Sequence, residues 1–216
     1  MKRGIPMTAS NDRPGILLDR DGTLIDVVRE EESGVLSVAF HPRQLRLLPG
    51  VVSGLRRFAE AGYALSIVTN QPGPAKGQFS REAVERTNAA LVEMLAAEGV
   101  SIECVEVCLH HPSGGPGGDA SLVGPCECRK PKPGLLERVI ERGRLRREST
   151  WMIGDSPVDV LAARAAGVHA ALVFPRSRCE LCPLLGGPPV APALVDEHFD
   201  ALARAVVARS GAADAR

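Results

Sequence analysis

Aromatic residues are scarce: one Trp, one Tyr and five Phe make up 3% of the 216 residues. So few rings cannot build a stacking platform for bases, and Trp151 and the phenylalanines read as packing residues. An excess of charge of one sign is also missing. Lys plus Arg number 26 and Asp plus Glu number 26, so no net field gathers nucleic acid or an anionic membrane, and neither is expected as a partner. No apolar run approaches the roughly 18 residues of a membrane span, and Met1 to Gly15 lacks the apolar stretch of a secretory signal. The expected compartment is the cytoplasm, where cysteines serve more often as metal ligands or free thiols than as disulfides. Lysine is rare too: Lys2, Lys76, Lys130 and Lys132 are the only ones, so a lysine at a candidate site stands out.

What is present is an ordinary globular composition, 44% hydrophobic and 24% charged, which excludes a disordered or fibrous chain. The length suits one domain with a short tail. We expect a flexible start over 1–14, a core domain over 15–175 and a C-terminal extension over 176–216 carrying one helix.

Short apolar runs alternate with helical patterns. Ile16 to Asp19, Ala64 to Thr69, Ile102 to Leu109, Thr150 to Ile153 and Ala170 to Phe174 read as buried strands. Helices are expected over Val51 to Ala61, Ser80 to Glu98 with Ser80 as N-cap, Leu135 to Arg142, Val158 to Ala166 and Glu197 to Arg209. This rhythm predicts an α/β fold, a parallel sheet with helices on both faces.

Four elements carry chemistry, each at a strand exit or a helix start. The first strand runs into Asp19-Arg20-Asp21-Gly22-Thr23; residues two apart on an extended segment face one way, so two carboxylates would meet at a strand's carboxyl end. Such a pair repels unless a cation or proton lies between. One carboxylate can serve as metal ligand and nucleophile while the other shuttles a proton. The second strand ends in Thr69-Asn70-Gln71, whose hydroxyl and amides can donate to an anion. Arg129-Lys130 brings cations before a helix start. Gly154-Asp155-Ser156-Pro157-Val158-Asp159 adds a third acid, Asp155, while Asp159 reads as a capping or orienting residue.

Cys108-Leu109-His110 and Cys126-Glu127-Cys128 flank a Gly/Pro-rich loop. Three thiolates and one imidazole match a closed tetrahedral zinc site that folds a loop. His111 could replace His110 as the ligand. Cys104 reads as a strand residue; Cys179 and Cys182, a C-x-x-C pair, read first as inert thiols, with a redox pair or half of another zinc site as alternatives.

The ordered acid pair, hydroxyl-amide, cation and acid resemble the haloacid dehalogenase (HAD) superfamily of phosphotransferases, over Ile16 to about Phe174. The resemblance implies a three-layer, Rossmann-like fold. It implies Asp19 as the nucleophile that accepts the phosphoryl group, Asp21 as general acid and base, and Thr69 and Lys130 as the pair that holds the phosphoryl group. It also implies Mg²⁺ on Asp19, Asp155 and the Asp21 carbonyl. The stretch Cys108 to Gly134 is similar to the capless branch that contains D-glycero-D-manno-heptose-1,7-bisphosphate 7-phosphatases and histidinol-phosphate phosphatases, in which a zinc-stapled loop shapes the entrance. Carried over, Arg129 recognises substrate, and Asn70 and Gln71 line its phosphate or hydroxyls. The resemblance implies a monomer acting on a small phosphorylated sugar. A heptose bisphosphate is the first expectation, histidinol phosphate the second, and a zinc-stabilised binding module without catalysis the reading from another class. After the acid pair the branch carries a Gly-Tyr pair, where this chain reads Val27-Val28-Arg29.

Overall fold

The computed structural model describes residues 13–29, 34, 36–173 and 191–214. Residues 1–12, Phe174, Cys179 and Cys182 lie outside them, so the inert-thiol reading does too.

The central strand is β1 (Gly15–Leu18), with β4 (Ala64–Asn70) on one side and β6 (Trp151–Gly154) on the other. Beyond β4 lies β5 (Cys104–Cys108), and beyond β6 lie β7 (His169–Val173) and β8 (Leu194–Asp196). All five pairings are parallel. Helices α1 (Val51–Glu60), α3 (Arg81–Ala97), α4 (Gly134–Gly143), α5 (Pro157–Ala165) and α6 (Phe199–Asp214) cover the sheet.

Alternation along β1 explains why it reads as a continuous apolar run. Ile16 and Leu18 enter one core with Phe58, Leu91, Trp151 and Phe199, whereas Leu17 enters the opposite core with Val68, Leu135 and Met152. A strand buried on both faces has no polar side to show. Helix starts follow local chemistry as expected: the Ser80 hydroxyl accepts from the Ala83 amide at 3.2 Å and caps α3.

Three features were not legible in the pattern. A two-stranded antiparallel ribbon, β2 (Val28–Arg29) with β3 (Leu36–Ser37), occupies the long connection after β1. A single helical turn, α2 (Gly73–Lys76), follows β4. β8 extends the sheet, and Phe199, Leu202 and Val206 of α6 are buried against the core that holds α1. These α6 side chains share one core cluster with Ile16, Phe58 and Trp151. Among the described residues no helix is long and apolar enough to cross a membrane.

Candidate active site

From β1 the chain builds β4 and β5 outward on one side and then crosses to β6 on the other side of β1, a reversal that opens a crevice at the carboxyl ends of β1, β4 and β6. Asp19 follows β1 directly, and its amide donates to the Ile153 carbonyl at 2.9 Å, so the ladder holds it in place. Asp155 follows β6. Oxygens of Asp19, Asp155 and Asp159 lie within 4.8 Å of one another. Gly22 makes the approach possible: its φ is +80°, and a Cβ there would stand 2.2 Å from Asp155 Oδ2.

Lys130 arrives from a loop. The Asn70 amide grips its peptide at both ends, Nδ2 donating to the Lys130 carbonyl at 3.0 Å and Oδ1 accepting from its amide at 3.1 Å. The buried ammonium lies 2.7 Å from Asp19 Oδ1 and 2.7 Å from Asp159 Oδ1, and donates to the Val68 carbonyl at 3.0 Å. Asp19 and Val68 accept hydrogen bonds from it, and Asp159 pairs with it as a charge. Burial opposes the charge on Lys130, but Asp159 and Asp19 outweigh it and raise its pKa.

Asp21 is surrounded by donors. Arg20 reaches both its oxygens, at 2.9 and 3.1 Å, Gln71 Nε2 donates to Oδ2 at 2.7 Å, and the Ala39 amide donates to Oδ1 at 3.1 Å. Gln71 Nε2 also donates to the Thr69 hydroxyl at 2.9 Å, which links the acid pair to the tip of β4.

Asn70 and Gln71, both expected to line the substrate, have their amides engaged within the protein. Asn70 serves the Lys130 peptide, and Gln71, fully buried, serves Asp21 and Thr69. Asp159 caps α5 by accepting from the Ser156 hydroxyl at 2.7 Å, and its other oxygen stands in the charge cluster beside Lys130. Gly154 lets it in, because a Cβ there would lie 2.3 Å from the Asp159 carboxyl carbon.

Three carboxylates thus surround one ammonium. Burial pushes Asp19 up to about 6, Lys130 pulling against it and Asp159 adding to it. Burial also pushes Asp155 up to about 7, with Asp19 and Asp159 contributing. Hard oxygen donors carrying more negative charge than Lys130 offsets suit Mg²⁺, and Asp19 and Asp155 with the Asp21 carbonyl would hold it.

The second cluster gathers Cys108, His110, Cys126 and Cys128. The Cys108 sulfur is 3.8 Å from that of Cys126 and 3.8 Å from His110 Nδ1, and His110 Nδ1 is 3.4 Å from the Cys128 sulfur. Zn–S bonds of about 2.3 Å in a tetrahedron place sulfurs about 3.8 Å apart, so the donor set fits zinc. The Cys108 and Cys128 sulfurs, at 2.9 Å, are closer than that edge. His111 turns away: its Nδ1 accepts from the Gly114 amide at 3.1 Å, so the structure favours His110 over His111. The loop between the two pairs docks on α2, where the Asp119 amide donates to the Pro74 carbonyl at 2.9 Å. Arg129, between this cluster and Lys130, lines a cavity of about 470 Å³ with Pro112, Pro125, Cys126 and Lys132.

Comparisons with known proteins agree with this geometry. A HAD-hydrolase-like family model matches residues 127–175. The D-glycero-β-D-manno-heptose-1,7-bisphosphate 7-phosphatase of Rhodopseudomonas palustris is 37% identical over 163 residues, 75% of this chain and 84% of that protein. The enzyme of the same name from Yersinia pestis is 34% identical over 155 residues, 72% of this chain and 77% of that protein. A crystal structure of D,D-heptose 1,7-bisphosphate phosphatase from B. bronchiseptica, complexed with magnesium and phosphate, superposes with a TM-score of 0.71 at 26% identity, covering 91% of this chain and 99% of that one. This chain belongs to the HAD-like phosphoric monoester hydrolases, in the family of the D-glycero-β-D-manno-heptose-1,7-bisphosphate 7-phosphatases.

Proposed function

We propose that the chain removes the 7-phosphate of D-glycero-D-manno-heptose 1,7-bisphosphate through a phosphoryl-aspartate on Asp19. The observation that carries this reading is Lys130 Nζ lying 2.7 Å from Asp19 Oδ1 with Asp155 alongside, an anion-accepting site built on a nucleophile. A phosphate monoester repels an incoming carboxylate, so its oxygens must be neutralised before attack.

An Asp19 oxygen attacks phosphorus while the bond to the ester oxygen breaks, and that oxygen keeps the electron pair and takes a proton from Asp21. Water then attacks the phosphoryl-aspartate and gives its proton to Asp21. The bond to Asp19 breaks and returns the electron pair to its carboxylate. Ester and water become alcohol and phosphate, with the enzyme restored. Mg²⁺ held by Asp19, Asp155 and the Asp21 carbonyl would supply positive charge to the phosphoryl oxygens. Thr69 and Lys130 hold those oxygens, Asn70 and Gln71 position these groups, and Arg129 meets the remainder of the substrate from the cavity wall. Cys108, His110, Cys126 and Cys128 would hold zinc, which would fix the loop that ends in Arg129 and Lys130. The protein works as a monomer in the cytoplasm.

The names of the relatives favour the heptose bisphosphate over histidinol phosphate, and their membership in a hydrolase family disfavours a non-catalytic module. Phosphate release measured with Mg²⁺ on heptose 1,7-bisphosphate and on histidinol phosphate tests the reading. We expect kcat/KM for the heptose ester to exceed that for histidinol phosphate by about 10²-fold or more, a discrimination of the size that placed polar contacts supply. Preference for histidinol phosphate would overturn the substrate, and no release from either would overturn the activity.

A further inference from the structure

Arg20 stands between the two motif aspartates, takes no part in the reaction as written, and is fully buried at 0% exposure. A guanidinium cannot shed its charge, so its burial demands partners. Nε donates to Asp21 Oδ2 at 2.9 Å and Nη2 to Asp21 Oδ1 at 3.1 Å, the two-pronged geometry that fixes a carboxylate plane. Nη2 donates also to the Ala39 carbonyl at 2.6 Å, and Nη1 to Asn88 Oδ1 at 2.6 Å. Asn88 belongs to α3, and Ala39 to the connection before α1. Two separate parts of the fold therefore hold the fork that holds Asp21. Ala39 closes the ring, its amide donating back to Asp21.

Stability alone is a poor account of this arrangement, because a buried ion pair is often no better than apolar side chains of equal volume. Aim is a better one. Four donors fill the acceptor positions of Asp21, so to carry a proton to the ester oxygen it must release the Gln71 or the Ala39 donor while the Arg20 fork keeps its plane, and a displacement of about 1 Å at such a group can cost about 10²-fold in rate. We propose that Arg20 is a positioning residue for proton transfer, acting through Asp21 and anchored by Asn88, so that a helix remote from the chemistry sets the aim of the acid. This rests on the phosphatase reading above.

The leaving group provides the test. A sugar alkoxide departs only when its oxygen takes the Asp21 proton as the P–O bond breaks, whereas p-nitrophenolate is a stable anion and leaves without one. kcat/KM counts events up to the first phosphoryl transfer, so the ratio of kcat/KM on heptose 1,7-bisphosphate to that on p-nitrophenyl phosphate isolates the protonation step. Arg20→Met should lower this ratio by about 10²-fold, and Asn88→Ala, which removes only the anchor, should lower it by roughly tenfold, a part of the same effect. An equal loss on both esters would assign Arg20 to structure alone and overturn the proposal, as would unchanged kinetics. If Arg20→Met does not fold, the ratio in Asn88→Ala decides. Wild-type protein inactive on both esters would overturn the phosphatase reading and this proposal together.

Discussion

Asp159 Oδ1 stands 2.7 Å from Lys130 Nζ, and each of the two side chains is 1% exposed. The ammonium is shared between this buried acid and Asp19, so the position of Lys130 depends on a residue in the first turn of α5. Asp159 also counters the burial that by itself would lower the pKa of the ammonium.

Removing that partner should therefore cost stability as well as activity. Asp159→Asn is expected to lower the unfolding free energy by roughly 3 kcal/mol, the low end for stripping one member from a buried pair, since Asp19 still faces Lys130. Urea unfolding monitored by circular dichroism reads the change. A loss below about 1 kcal/mol, the range of exposed pairs, would mean that Asp159 contributes little to holding Lys130.

The nucleophile behaves differently. Asp19→Asn keeps the shape and relieves carboxylate repulsion, so the fold should persist while phosphate release falls by about 10³-fold or more, the scale of losing a group that bonds to the substrate. Near-native turnover in a folded Asp19→Asn protein would rule out the covalent route.

Proton linkage around the acid cluster has an unusual sign. Asp19 and Asp155 are raised to about 6 and about 7 from an ordinary 3.8, so in this range the folded protein holds more protons than the unfolded chain. The stability that these groups contribute is fully present below about pH 4 and is lost as pH rises through 6 to 7. A divalent cation competes with those protons. Saturating Mg²⁺ should therefore raise Tm more at pH 8 than at pH 5, compared with metal-free dialysed protein. Equal increments at the two pH values would contradict the assignment of Asp19 and Asp155 as ligands.

Zinc should be structural. Cys128 is two residues from Lys130, and the loop that leaves His110 docks on α2, so the staple and the catalytic groups share a backbone. Metal analysis should find one zinc per chain, and its removal by a thiol-site chelator should lower both Tm and kcat/KM. Unchanged melting and kinetics in zinc-free protein would contradict the coupling.

Local pattern determined much of this protein. The β1 residues Ile16, Leu17 and Leu18 had to lie in a strand buried on both faces, because three successive apolar side chains on an extended chain point to opposite sides. Asp19, Lys130 and Asp155 were legible because each follows a strand or precedes a helix, and parallel strands deliver such positions to one crevice. The spacing of Cys108, His110, Cys126 and Cys128 marked four metal-ligating side chains, and the fold gathers them. Tertiary structure decided the remainder. Asn70 ends β4 and Gln71 follows it, yet their amides turn to Lys130 and Asp21, partners 60 and 50 residues away. Asp159 reads as a cap from its neighbours and becomes a charge partner only when the loop carrying Lys130 reaches it. Arg20, which any local reading would leave in water beside two acids, is sealed by Ala39 and Asn88. Polar side chains take the partners that burial leaves within reach, and which ones those are is settled by how the sheet, helices and loops close around them, not by spacing along the chain.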